Sequence, residues 1–186
     1  MRITKINPRY EHWRSFIGSV PDIFEQEGKE IYNKRNLIKV LTAPDGTAVN
    51  VKRYHVPHGP NRLVYSWGIR KPKCQRAFDY PMILKNKGIE TPEPIAIIEE
   101  RSWLGLLGYS YLITMQCDYG HTLYEVGDAK AGTYETLAKA LAHFAVKIHN
   151  GNVLHKDFTP GNVLWKQDDE GFHFSLVDIN RMHFGQ

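Results

Sequence analysis

The segment from Leu137 to Asp178 restricts the fold of this chain more than any other. Leu137, Leu141, Phe144 and Ile148 recur at spacings of four, three and four, which is one apolar stripe on an amphipathic helix. Asn150-Gly151 closes that helix. The chain then runs directly into "VLHKDFTPGNVLW", residues 153 to 165. A short apolar approach, Val153-Leu154, is followed by a polar, turn-forming loop and re-entry into a strand after Asn162. A turn at Asp168-Asp169-Glu170-Gly171 leads into the strand "FHFSLVDI", which ends on Asp178 and Ile179. A loop tethered by a helix on one side and a hairpin on the other is where a scaffold holds reactive side chains.

Upstream, "NLIKVLTAPDGTAVNVKRYHV" predicts two strands flanking a Pro44-Asp45-Gly46 turn, an antiparallel hairpin. Val49 and Val51 alternate with Asn50, Lys52 and Tyr54, so Lys52 lies on the face opposite the valines. "KPKCQRAFDYPMILKNKG" predicts a helix ending at Gly88, with Pro81 kinking it or marking its first turn. "IAIIEE" and "GYSYLITMQ" predict two further strands. Three regions are expected: an N-terminal extension over 1–32, broken by Pro8 and Pro21 and holding one short helix within "PDIFEQEGKEIY"; a small antiparallel lobe over 33–116; and a helical lobe over 117–186 carrying the loop.

Of 186 residues, 42% are hydrophobic and 24% charged, enough for a buried core. No run approaches the roughly 18 apolar residues of a membrane span, and the N-terminus lacks the apolar core of a signal peptide. Two cysteines, Cys74 and Cys117, are too few for a disulfide framework or a zinc site and fit reduced, cytoplasmic thiols. The formal charge of +4 suits an anionic ligand without choosing among phosphate, acidic glycolipid and nucleic acid.

Taken singly, Asp157 reads as a turn residue, Asp178 equally as a strand-end cap or a ligand, and Lys52 as a solvated strand lysine. Together they read differently. A strand-end carboxylate beside a side-chain amide, Asn162, makes a hard oxygen site suited to Mg²⁺. Phosphoryl transfer needs such a metal, a cation on the phosphate chain and an acid to orient the attacking hydroxyl. Asp178 with Asn162, Lys52 and Asp157 could supply these parts.

The order of these parts resembles the protein-kinase-like fold. "HKDFTPGN" lies where protein kinases carry H-R-D-x-x-x-x-N, and "VDIN" where they carry D-F-G. Within that superfamily "VLHKDFTPGNVLW" and "FSLVDINRMHF", with "GIETPEPIAIIE" upstream, are most similar to the bacterial lipopolysaccharide kinases, which phosphorylate heptose or Kdo of the core. The resemblance spans about residues 36 to 184. It implies an α+β, two-lobed fold with an antiparallel β N-lobe and a truncated helical C-lobe, and it implies ATP and Mg²⁺ as cofactors. Asp157 would orient the acceptor hydroxyl and take its proton, with His155 bracing the loop. Lys52 would bind the phosphates with Asp79 as its acidic partner. Asn162 and Asp178 would hold the metal, and Met115, Gln116, Cys117 and Asp118 would form the adenine hinge. The implied partners are a nucleotide and a lipopolysaccharide core or other sugar acceptor, with peripheral contact at the inner face of the inner membrane and no nucleic acid.

The sequence departs from the kinase pattern in several places. No G-x-G-x-x-G covers the phosphates, which leaves the backbone amides of the Asp45-Gly46 turn to do so. Asn180 replaces the glycine of D-F-G, so that segment should flip less easily. Thr159 and Lys156 replace residues typical of protein kinases, which suits a small-molecule or glycan acceptor. Gln186 follows Asp178 by only eight residues. An aminoglycoside- or choline-type kinase and a non-catalytic nucleotide-binding module are the alternatives.

Overall fold

The computed structural model describes residues 1–34, 36–127 and 129–185. The chain divides into two compact units, Met1–Asp79 with Glu93–Gln116, and Tyr80–Pro92 with Cys117–Gln186.

The first unit is built on a six-stranded antiparallel sheet in the order β1-β5-β6-β4-β3-β2. Its strands are β1 (Arg2–Ile6), β2 (Lys29–Asn33), β3 (Asn36–Thr42), β4 (Ala48–Tyr54), β5 (Pro94–Arg101) and β6 (Leu107–Met115). The β3–β4 hairpin turns at Pro44-Asp45-Gly46, where Gly46 has φ +89, a conformation glycine adopts without steric cost.

Residues 1–32, expected as an extension, are instead integral to this sheet. β1 pairs with β5 and β2 with β3, so the segment supplies both edges. Its helix, α1 (Arg14–Ile23), lies earlier than expected, and part of the stretch expected to be helical is strand β2. The reason is burial. Ile17, Val20 and Phe24 are fully buried and pack on Val49, Val51, Ile98 and Ile113 of the sheet. Each such side chain contributes roughly 2 kcal/mol, which outweighs the disfavour of Pro21 late in the helix.

Lys39 is buried on the same face. Its Nζ donates to the carbonyls of Phe24, Glu25 and Glu27 at 2.7, 3.1 and 3.3 Å. A cation thus satisfies carbonyls that the end of α1 leaves open. A short helix α2 (Pro60–Ser66) and the first half of α3 (Lys73–Asn86) complete the unit. Cys74, Ala77 and Phe78 of α3 pack on Tyr54, Ile97 and Leu112.

The second unit has its own core of Leu84, Ile89, Leu137, Ile148, Val153, Val163, Trp165, Phe174 and Leu176. Here α4 is Tyr124–Gly127 and α5 is Glu135–Asn150. The apolar stripe read from the sequence is the buried face of α5: Leu137 and Ile148 are buried, and Leu141 and Phe144 pack against the core. Phe144 stacks on Phe174 with centroids 5.0 Å apart. β7 (His121–Thr122), β9 (Val163–Asp168) and β10 (Gly171–Leu176) form one small sheet. β8 (Val153–His155) and β11 (Met182–Phe184) form another.

Candidate active site

The loop after α5 is held by a small set of hydrogen bonds. Antiparallel pairing of β8 with β11 sets Met182 opposite His155 and Phe184 opposite Val153. His155 is buried at 4% exposure. The Asp157 N–H donates to its Nδ1 at 3.1 Å. Nδ1 is therefore an acceptor, so the proton sits on Nε2, which donates to the Val177 carbonyl at 3.2 Å. The ring ties the residue beside Asp178 to the backbone of Asp157. Burial, the largest cause, holds the imidazole below its ordinary pKa despite the Val177 hydrogen bond and the nearby charges of Asp178 and Asp157. A neutral imidazole is what this two-way bridge requires.

The Asp157 carbonyl accepts from the Thr159 N–H and from Asn162 Nδ2, both at 2.9 Å. With its nitrogen committed to the loop, Asn162 could offer its oxygen Oδ1 to a cation. The Asp157 carboxylate is 37% exposed, with Arg181 Nη1 3.8 Å away. Arg181 was not anticipated from the sequence; β8–β11 pairing brings it there, through the Lys156 N–H donating to the Arg181 carbonyl at 3.0 Å.

Asn162 and Asp178 lie at the same end of one hairpin. β9 and β10 pair with Leu176 opposite Val163, and the Val177 N–H extends the ladder to the Asn162 carbonyl at 3.0 Å. Asp178 then enters the left-handed region at φ 53, ψ 42, tolerated by Asp better than by most side chains. Buried Asn180 donates from Nδ2 to Asp178 Oδ1, a bond that the D-F-G glycine could not make.

These residues fit Mg²⁺. Two oxygen donors share a hairpin end, and among the described residues no group of three His, Cys, Asp or Glu could enclose a metal. Mg²⁺ is commonly held by one or two protein oxygens and completes its shell with water and phosphate.

In the first unit, Lys52 is buried on β4, between Ile38 of β3 and Leu112 of β6 in register, with Nζ 5.2 Å from the Tyr54 ring centroid. The acid expected to pair with it, Asp79, does not do so. Its oxygens take Lys5 at 2.8 Å and Lys71 at 3.4 Å. Asp79 lies beside β1, a strand the sequence reading had left outside the sheet. The sequence also did not single out Glu99. This carboxylate is 2% exposed and accepts from Gln75 Nε2 at 2.7 Å and from Arg101 Nη2 at 2.8 Å, so it fastens the start of α3 to β5.

Of the turn amides offered as a phosphate cover, that of Gly46 is engaged within the turn. Gly46 N–H donates to the Ala43 carbonyl and Thr47 N–H to Asp45 Oδ1, and these Thr47 hydrogen bonds hold the Asp45 carboxyl below the usual range. In the hinge segment, Met115 N–H donates to the Glu93 carbonyl and Gln116 N–H to the Ala48 carbonyl. The first unit ends at Gln116, and Cys117 and Asp118 belong to the second.

Comparison with known proteins places this geometry. The chain aligns with WaaP in complex with acyl carrier protein at 17% identity and TM-score 0.56, covering 98% of this chain and 73% of that one. It aligns with the Rio2 kinase-ADP/Mg²⁺-phosphoaspartate complex from Chaetomium thermophilum at 15% identity and TM-score 0.60, covering 94% and 54%. The fold is therefore an α+β, protein-kinase-like one. No curated protein matches the sequence. The model of the lipopolysaccharide kinase (Kdo/WaaP) family matches residues 26–184. The chain belongs to that family and is a kinase.

Proposed function

We propose that this kinase transfers the γ-phosphate of ATP to a hydroxyl of a lipopolysaccharide core sugar, heptose or Kdo, at the cytoplasmic face of the inner membrane. The observation that carries the proposal is the hydrogen bond from Asn162 Nδ2 to the Asp157 carbonyl. It couples the acid expected to meet the acceptor to one of the two expected metal ligands, and the His155 bridge couples the same loop to the residue preceding Asp178.

In this reading Asp157 orients the acceptor hydroxyl through its carboxylate and takes the proton as the oxygen attacks phosphorus. Arg181, within ion-pair distance of that carboxylate, steers its rotamer. Asn162 Oδ1 and the Asp178 carboxylate hold Mg²⁺, which neutralises phosphate charge when bound. Lys52 offers a positive charge to the α- and β-phosphates, and Met115 to Asp118 meet the adenine edge.

The test is calorimetric titration of ATP with and without Mg²⁺ on the wild type, Asp178→Ala and Asp157→Asn, followed by phosphate transfer to isolated core oligosaccharide. Metal-dependent binding should vanish in Asp178→Ala and survive in Asp157→Asn, which should lose transfer by a factor of roughly a hundred or more. Metal-independent binding, or undiminished transfer by Asp157→Asn, would overturn the reading.

A further inference from the structure

The first unit carries a surface that phosphoryl transfer does not explain. Trp103 is 91% exposed, Ile69 72%, Trp67 69% and Leu104 62%. Single exposed apolar side chains are ordinary; a group of this size containing two tryptophans is not.

Two loops form this group, and a polar clamp joins them. Arg101 Nη1 donates to the Ser66 carbonyl at 3.2 Å and to the Gly105 carbonyl at 3.1 Å. The Leu107 N–H donates to Ser66 Oγ at 2.8 Å, and Arg62 Nε donates to the Leu107 carbonyl at 2.8 Å. The end of α2, which leads into Trp67, is thereby fixed to the β5–β6 turn bearing Trp103 and Leu104. The turn itself is closed by the Gly105 N–H to the Ser102 carbonyl at 2.9 Å, with Gly105 at φ +75. Buried Glu99 anchors Arg101 from behind. Because the clamp fixes the backbone beside both tryptophans beforehand, less backbone ordering entropy is lost when they meet a partner.

The charge on the chain leading into and out of the group is mainly positive, although Asp79, just beyond it, pairs with Lys71. Residues 55 to 78 contain five Lys or Arg and no Asp or Glu. Arg70, Lys71 and Lys73 are exposed within it. Tryptophan favours the boundary between water and acyl chains, and neighbouring cations favour anionic headgroups. A second copy of the chain facing this surface would bring the same cations together, which opposes self-association. Among the described residues no helix is long and apolar enough to cross a membrane.

We propose that this surface docks the protein peripherally on an anionic bilayer. Trp67, Trp103, Ile69 and Leu104 enter the interface, and Arg70 and Lys73 meet the headgroups. The proposal extends the reading of a glycolipid acceptor, but its test involves no turnover and stands apart from that reading.

The experiment is sedimentation of the full chain with vesicles of phosphatidylcholine alone or mixed with phosphatidylglycerol, with tryptophan emission recorded in parallel. Trp13 and Trp165 are buried at 5% and 7% exposure, so the emission change reports Trp67 and Trp103. Binding is expected only to the mixed vesicles, with a blue shift and with loss at high salt. The double variant W67S/W103S should partition roughly tenfold less or weaker still, and R70E should also weaken binding, both with an unchanged circular dichroism spectrum. Absence of wild-type binding, or equal binding by the double variant, overturns the proposal. So does a wild-type dimer in buffer that W67S/W103S renders monomeric, since the surface would then belong to a second copy.

Discussion

His155→Leu isolates the bridge that holds the loop from His155 to Asn162. Leucine keeps a comparable apolar bulk and removes both ring nitrogens. It orphans the Asp157 N–H, now 3.1 Å from its acceptor, and the Val177 carbonyl, now 3.2 Å from its donor. An unsatisfied buried group costs about 1–3 kcal/mol. Asp157 is partly exposed, so water recovers part of its loss; about 1 kcal/mol there and about 2 kcal/mol at Val177 give a total of about 3 kcal/mol. For a chain of this size that corresponds to a fall of about 6–12 °C in Tm, measured by thermal unfolding. The affinity for Mg-ATP should fall with it, because Val177 precedes Asp178. The pH dependence gives a second reading. His155 has a folded pKa below its unfolded value, so the unfolded state binds the proton first. Stability is insensitive to this group above about pH 6.5 and declines as pH drops from there through the folded value. His155→Leu lacks this titration, and the stability gap between the two proteins should narrow in acid. A variant within about 0.5 kcal/mol of wild type, or a gap that widens on acidification, would refute the bridge.

Two further outcomes follow from the first unit. Lys39→Met removes a buried ammonium from three carbonyls and should destabilise by about 2–3 kcal/mol, read as a lower urea midpoint; an unchanged midpoint would show that these carbonyls find water instead. Cys74 is fully buried and its thiol is pushed up to about 12, chiefly by burial and then by the Glu99 charge. In the native protein at mildly alkaline pH it should resist a disulfide reagent and react only on unfolding, and modification at the rate of a small exposed thiol would contradict that burial.

How much was legible depended on the range over which each feature is encoded. The β3–β4 hairpin, α3, α5 and the loop from His155 to Asn162 were read from turn residues and periodicity, signals that lie within a few turns of one element. Asn162 and Asp178 were marked by their places at strand ends. Lys39 was not legible as buried, because a lysine among strand residues ordinarily faces water; only α1 arriving over it, with carbonyls to cap, made burial favourable. Residues 1–32 carried weak local signals, and their strands formed because β5 and β3 offered edges to pair.

The sequence by itself determined the family, the order of the elements and the chemical types at the loop, because spacing along the chain records these directly. The tertiary structure alone decided the partners. It gave Asp79 to Lys5, brought Arg181 to Asp157, buried Glu99 against Gln75, and fixed the backbone before Trp67 beside the turn that carries Trp103. Ion pairs and shared surfaces join residues far apart in the chain, and their choice is fixed only when strand order and register bring those residues within reach.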